Sequence, residues 1–94
     1  MSTFAVIREA GPGWRDGGIY DQPAVDEHAA FMNALTEEGF VVLGGPLGDG
    51  ARVMLIINVE REQEIERRLA DDPWIQMGLL SVVSVEPWEI LLGD

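Results

Sequence analysis

The pattern of apolar and polar positions divides the chain into six regular segments separated by punctuation. Residues 3–9, TFAVIRE, are rich in β-formers and predict a short strand. The next stretch, AGPGWRDGGIYDQP at 10–23, carries five glycines and prolines before Tyr20, and then Pro23, which predicts a long irregular loop. Helical spacing begins after it. Val25, His28, Met32 and Leu35 follow the i, i+3, i+7, i+10 rule of one helix face, so a helix is expected from about Pro23 to Glu38. Proline suits its first turn, Asp26 and Glu27 favour the positive end of its dipole, and Gly39 is the stop.

FVVLGGPL, 40–47, predicts a strand ending in a Gly-Gly-Pro turn, and Asp49-Gly50 marks a hairpin into RVMLIINV, 52–59. A second helix is expected over 60–70, with Ile65 and Leu69 facing inward and Glu64 paired to Arg68 at i,i+4. DDPWIQMG, 71–78, predicts a capped turn or a single helical turn closed by Gly78. LLSVVSVEPWEILL, 79–92, predicts the last strand, with Pro87 pointing to a sheet edge.

The order is β-α-β-β-α-β. It predicts an α+β, ferredoxin-like fold with a four-stranded antiparallel sheet and both helices on one face. The other face should then be polar at alternate positions. Instead Val41-Val42-Leu43, Met54-Leu55-Ile56-Ile57, Leu79-Leu80 and Val82-Val83 are apolar at consecutive positions. A bare apolar face is costly in water, at about 25 cal/mol per Å². A homodimer packed sheet to sheet is therefore expected, with a face kept for another protein as the alternative.

Composition narrows the function. Ninety-four residues, 47% hydrophobic, predict a single domain over 1–94. The net charge of −11, with 17 acidic residues against six arginines and no lysine, argues against nucleic acid as a partner. No apolar run approaches the length of a membrane span. The start, MSTFAVIREAGPGW, has no basic segment leading into an apolar one. With no cysteine either, a cytoplasmic protein is expected.

His28 is the only histidine in the chain, and the helical spacing turns it toward the sheet rather than toward water. It is either a core histidine satisfied by a backbone carbonyl or an acid-base group in a pocket lined by Phe31 and Met32. An acid-base histidine needs a partner to set its tautomer, and Asp71-Asp72-Pro73-Trp74 offers carboxylates in a constrained turn. Gly44, Gly45 and Pro46 form either a simple turn or a backbone cradle for a substrate oxygen. Trp14, Arg15 and Tyr20 either cover a pocket, Arg15 then greeting an anionic ligand, or pack their loop onto the core. Trp74 and Trp88 fit the core or a dimer interface. Arg8 either counters a buried carboxylate or sits at an edge. One histidine and no cysteine leave only carboxylates as further metal ligands, without EF-hand or HExxH spacing, and neither a phosphate loop nor a dinucleotide fingerprint is present, so no metal and no cofactor are expected.

Taken together, DEHAAFMNAL (26–35), GFVVLGGPL (39–47) and ADDPWIQMGLLSVVSVEPWEIL (70–91), in that order, resemble the YCII-related (YciI-like) family. The resemblance implies a ferredoxin-like fold of the dimeric α/β-barrel superfamily. It also implies a His-Asp pair as the active site, which by position is His28 and Asp72. The family's chemistry is mostly unassigned, and related dimeric barrels include isomerases, lyases and oxygenases. The 10–23 loop is longer and more aromatic than compact members need, and the Asp-Gly-Pro-Phe signature of a longer branch is absent. The expectation is a small cofactor-free acid-base enzyme of isomerase or lyase type. His28 and Asp72 are its catalytic pair, and Phe31, Met32, Gly45, Pro46, Trp74 and Arg15 line the pocket. The alternative is a non-catalytic module that binds a small molecule or a protein.

Overall fold

In the computed structural model, which describes residues 2–93, four antiparallel strands form one sheet. The elements are β1 (Ser2–Ala10), α1 (Val25–Glu37), β2 (Val41–Leu47), β3 (Arg52–Val59), α2 (Gln63–Leu69), α3 (Pro73–Gln76) and β4 (Leu80–Pro87). The strand order is β2-β3-β1-β4, so β1 and β3 are central and β2 and β4 are edges. This is the α+β, ferredoxin-like arrangement expected from the pattern.

The helices cover one face because the central strands alternate. Phe4 and Val6 of β1, and Val53, Leu55, Ile57 and Val59 of β3, all point to the helix side and are buried. Leu35 of α1, Ile65 and Leu69 of α2 and Trp74 of α3 close over them. On α1, Leu35 is buried and Val25, His28 and Met32 are half-buried, as the spacing requires.

Four expectations need correction. Gly44-Gly45-Pro46 is not a turn after β2 but part of it, with Pro46 opposite Val53. An edge strand has one side without ladder bonds, so it tolerates a residue lacking N–H. At Gly44 the strands pack closely: a Cβ there would stand 2.6 Å from a buried Leu55 methyl, which would have to shift. The last strand ends at Pro87, not near 92, and the Trp88 N–H makes one further bond to Thr3 O (2.9 Å). Glu64 pairs with Arg67 (2.9 Å), while Arg68 reaches Glu38 beyond the end of α1 (2.7 Å). The face away from the helices is less bare than the consecutive apolar positions suggested. Ile56 is only 5% exposed there, although Leu43 is 67% exposed. Part of that consecutive pattern belongs to bulges: Val42 and Val83 are extra residues at register shifts in their strands.

The 10–23 loop is pinned, not free. The Gly11 N–H donates to Leu79 O and the Gly13 N–H to Gly78 O, each at 2.9 Å. Buried Gln22 then closes the rest of the loop around its amide. Its Nε2 donates to Arg15 O (2.8 Å) and Gly18 O (3.0 Å), and its Oε1 accepts from the Arg15 N–H (2.8 Å). A Cβ on Gly11 would stand 2.5 Å from Gly78 O, which is backbone and cannot swing away. Gly11→Ala is expected to cost about 1–3 kcal/mol, as overpacking does, in urea unfolding. Gly45→Ala, where a Cβ meets nothing within 4 Å, should unfold close to the parent.

Candidate active site

The alternation of β1 puts a charge where an apolar side chain belongs. After Phe4 and Val6, the next helix-facing position is Arg8, 1% exposed. A bulge in β4 lies beside it, where the register against β1 shifts between Ile7 and Arg8. A buried guanidinium requires a partner. Its partner is Asp72, fully buried, whose Oδ2 accepts from Arg8 Nη1 at 2.7 Å.

The local sequence fixes where that carboxylate sits. Asp72 is the N-cap of α3, with Pro73 at the first helical position, and its Oδ1 accepts from the Trp74 N–H at 2.9 Å. The capping bond that starts a one-turn helix thus also holds the carboxylate under α1.

From α1, His28 descends onto the same group. Its Nδ1 lies 2.8 Å from Oδ1 and 2.9 Å from Oδ2 of Asp72. Asp72 therefore accepts from two side chains and one backbone N–H. Burial alone pushes its carboxyl up. The bonds from His28, Arg8 and the Trp74 N–H, with the charge of a protonated His28, outweigh burial and hold it below the usual value of 3.8. An ionised carboxylate only accepts, so Nδ1 of His28 carries a hydrogen, and in the neutral ring Nε2 is left with the lone pair. Among the described residues no hydrogen bond engages Nε2, and the side chain is 14% exposed.

The ring plane is held as firmly as its edge. His28 stacks on Trp74 with centroids 3.8 Å apart and planes at 3°. Trp74 in turn donates its Nε1–H to Pro23 O (2.7 Å) and meets the edge of Trp14 at 5.8 Å. The first loop thus backs the aromatic wall of the site. Met32, one turn after His28, receives Arg8 Nη2 on its sulfur at 3.6 Å.

The structure gathers His28, Asp72, Met32 and Trp74 from the expected set, and places Phe31, half-buried, beside Met32 on α1. It does not gather the rest. Gly45 and Pro46 line a separate hollow of about 380 Å³ with Leu43, Met54, Ile56 and Trp88. The Arg15 residue is exposed, and only its backbone is tied, to Gln22. Arg8 takes the first of its two expected roles, the counter to a buried carboxylate, and Gln22, which closes the loop behind the site, was not anticipated. Arg8 had a signal, a charge on the buried register of an apolar strand; Gln22, a lone amide in a loop, had none.

A family model for the YCII-related domain matches residues 7–89. The chain belongs to the YCII-related family. No curated protein matches it. Among solved structures, this YCII-related chain is similar to 5-chloro-2-hydroxyhydroquinone dehydrochlorinase (TftG) from Burkholderia phenoliruptrix AC1100, in complex with 2,5-dihydroxybenzoquinone. The identity is 26%, the TM-score 0.64, and the match covers 93% of each chain. Among the described residues of the YCII-related chain, no helix is long and apolar enough to cross a membrane.

The depressed carboxyl makes a statement about stability. A group whose folded value lies below its unfolded one stabilises the fold above the unfolded value and loses that contribution as pH falls through the folded one. Asp72 should therefore contribute fully at neutral pH and progressively less below pH 3.8. The gap in unfolding free energy between wild type and Asp72→Asn is expected to narrow as pH falls from about 5 to about 2 in urea titrations, that is, from just above the unfolded value downward. A gap that stays constant would mean that the carboxylate is not held in this way.

Proposed function

We propose that this chain is a cofactor-free acid-base enzyme in which Nε2 of His28 takes a proton from a small hydroxylated ring or carbonyl compound. The observation that carries this is the geometry of one ring: Nδ1 held by a buried, ionised carboxylate, the face stacked on Trp74, and Nε2 uncommitted. That leaves the imidazole one task, proton exchange at Nε2. Asp72 orients the ring and stabilises the imidazolium once the proton has moved. The pair of electrons left on the substrate then expels a leaving group or shifts within the ring. Trp74, fully buried, backs the imidazole from the core, and half-buried Phe31, Met32 and Trp14 are the apolar and aromatic side chains that would meet a flat compound.

The similarity to a dehydrochlorinase supports this reading. Loss of hydrogen chloride needs a base for the proton and a leaving group, not a redox cofactor. The first test uses 5-chloro-2-hydroxyhydroquinone as the probe and follows chloride release, with His28→Gln as control. Histidine-dependent release is the expected result. No release, together with no perturbation of the His28 ring by 2,5-dihydroxybenzoquinone in NMR, would count against the reading.

We also propose that the chain works as a homodimer through the sheet face away from the helices. Leu43 is 67% exposed there, beside the hollow around Trp88, and Leu91 and Leu92 in the following tail are 80% and 91% exposed. Exposed apolar surface of this kind favours a partner. Sedimentation should give a dimer, and Leu43→Glu should shift it toward monomer; a wild-type monomer at all concentrations would refute the assignment.

A further inference from the structure

The buried cation is the feature that a simple His-Asp pair leaves unexplained. Imidazole and carboxylate would suffice to orient a base. Here a third group, from a different strand, takes part of the same carboxylate. We propose that Arg8 is a positioning residue that acts through Asp72: it lowers the readiness of His28 to take up a proton and leaves the protonated site positively charged.

Asp72 Oδ2 is bound by Arg8 Nη1 at 2.7 Å while the carboxylate also receives His28 Nδ1 and the Trp74 N–H. With His28 unprotonated the three side chains are neutral together. Taking up a proton makes them net positive. Without Arg8 the same uptake would only neutralise Asp72, which is easier around a buried carboxylate. The arginine is also held by one end. Among the described residues its buried Nε has no hydrogen-bond partner, and its Nη2 has only the Met32 sulfur, a weak acceptor. Its one strong acceptor is therefore the carboxylate that also holds the imidazole.

Other charges are poorly placed to mask this. On α1, Asp26 and Glu27 are exposed, and α3 carries no charged residue. In the first loop, Arg15, Asp16 and Asp21 are exposed. On β1 and β3, Glu9 and Arg52 are paired in the register after Arg8, and both are exposed. Among the described residues only Arg8 joins the His28–Asp72 pair as a charged hydrogen-bond partner.

The consequence lies in the charge that surrounds the protonated base. Once it has taken a proton, its surroundings attract the enolate or phenolate that the proton left behind. This consequence for rate rests on the function proposed above; the titration of His28 does not, and it reads out whether or not a substrate is found.

The test follows the single histidine ring by NMR across pH in wild type, Arg8→Met and Arg8→Lys, and in Asp72→Asn with and without Arg8→Met. Arg8→Met is expected to raise the midpoint of ring protonation by about one pH unit. The rise should be smaller in the Asp72→Asn background, and Arg8→Lys, which keeps the charge, should return the midpoint toward wild type. Should Arg8→Met fail to fold, Arg8→Gln takes its place, since it can still donate to Asp72 without a charge, and the same rise is expected. A midpoint that is unchanged or lower without the charge overturns the proposal. So does an equal rise in the Lys and Gln variants, which would make Arg8 a matter of shape alone. Chloride release that fails while the midpoint still rises would remove the proposed function and leave the role of Arg8 standing.

Discussion

Asp72→Ala is expected to cost about 3–5 kcal/mol of folding free energy, the range for removing one partner of a buried ion pair. The loss has a definite structural origin. Arg8, 1% exposed, would keep its charge and lose the only charged partner it has among the described residues. The Trp74 N–H would lose its cap, and the His28 Nδ1–H its acceptor. Small domains are stable by about 5–15 kcal/mol in total, so this change should consume a large share. Urea unfolding with linear extrapolation measures it. Arg8→Met in the same chain should recover part of the loss, because the stranded charge goes with the arginine. A cost below about 1 kcal/mol, within the range of exposed pairs, would mean that water reaches the pair in solution.

His28→Gln should separate chemistry from structure. Glutamine can still donate a hydrogen bond to Asp72 but cannot carry a proton, so turnover of a working substrate should fall by about 10²–10⁴, the usual worth of a general base. Stability should change little, since the carboxylate keeps Arg8 and the Trp74 N–H. The two measurements belong together, one by chloride release from the chlorinated probe and one by urea. A variant that loses stability as Asp72→Ala does, and keeps turnover, would make the histidine a structural group.

Much of the site was legible because it is written in local rules. The helix face of Val25, His28, Met32 and Leu35 follows from the helical period, and it does turn His28 inward. Asp-Pro-Trp at 72–74 is an N-cap and a first-turn proline, and it does start a helix. RVMLIINV is read correctly to its ends, since two buried apolar registers and a glycine-rich turn bound it. The Gly-Gly-Pro segment was misjudged for the opposite reason. Its residues favour a turn locally, yet pairing with β3 carries the strand through them, and the edge position removes the penalty.

By itself the sequence determined the element order, the inward face of α1, and the acidic cap that could meet it, because each depends on neighbours within a turn or two of chain. Only the tertiary structure decided that Arg8, 64 residues away from Asp72, is its counter-ion. It alone decided that Gln22 closes the first loop and that Gly45 and Pro46 line a different hollow. Those outcomes depend on which strands become neighbours and where their registers shift. Burial then makes every polar group find whichever partner the packing brings within reach, and local pattern carries no record of that partner.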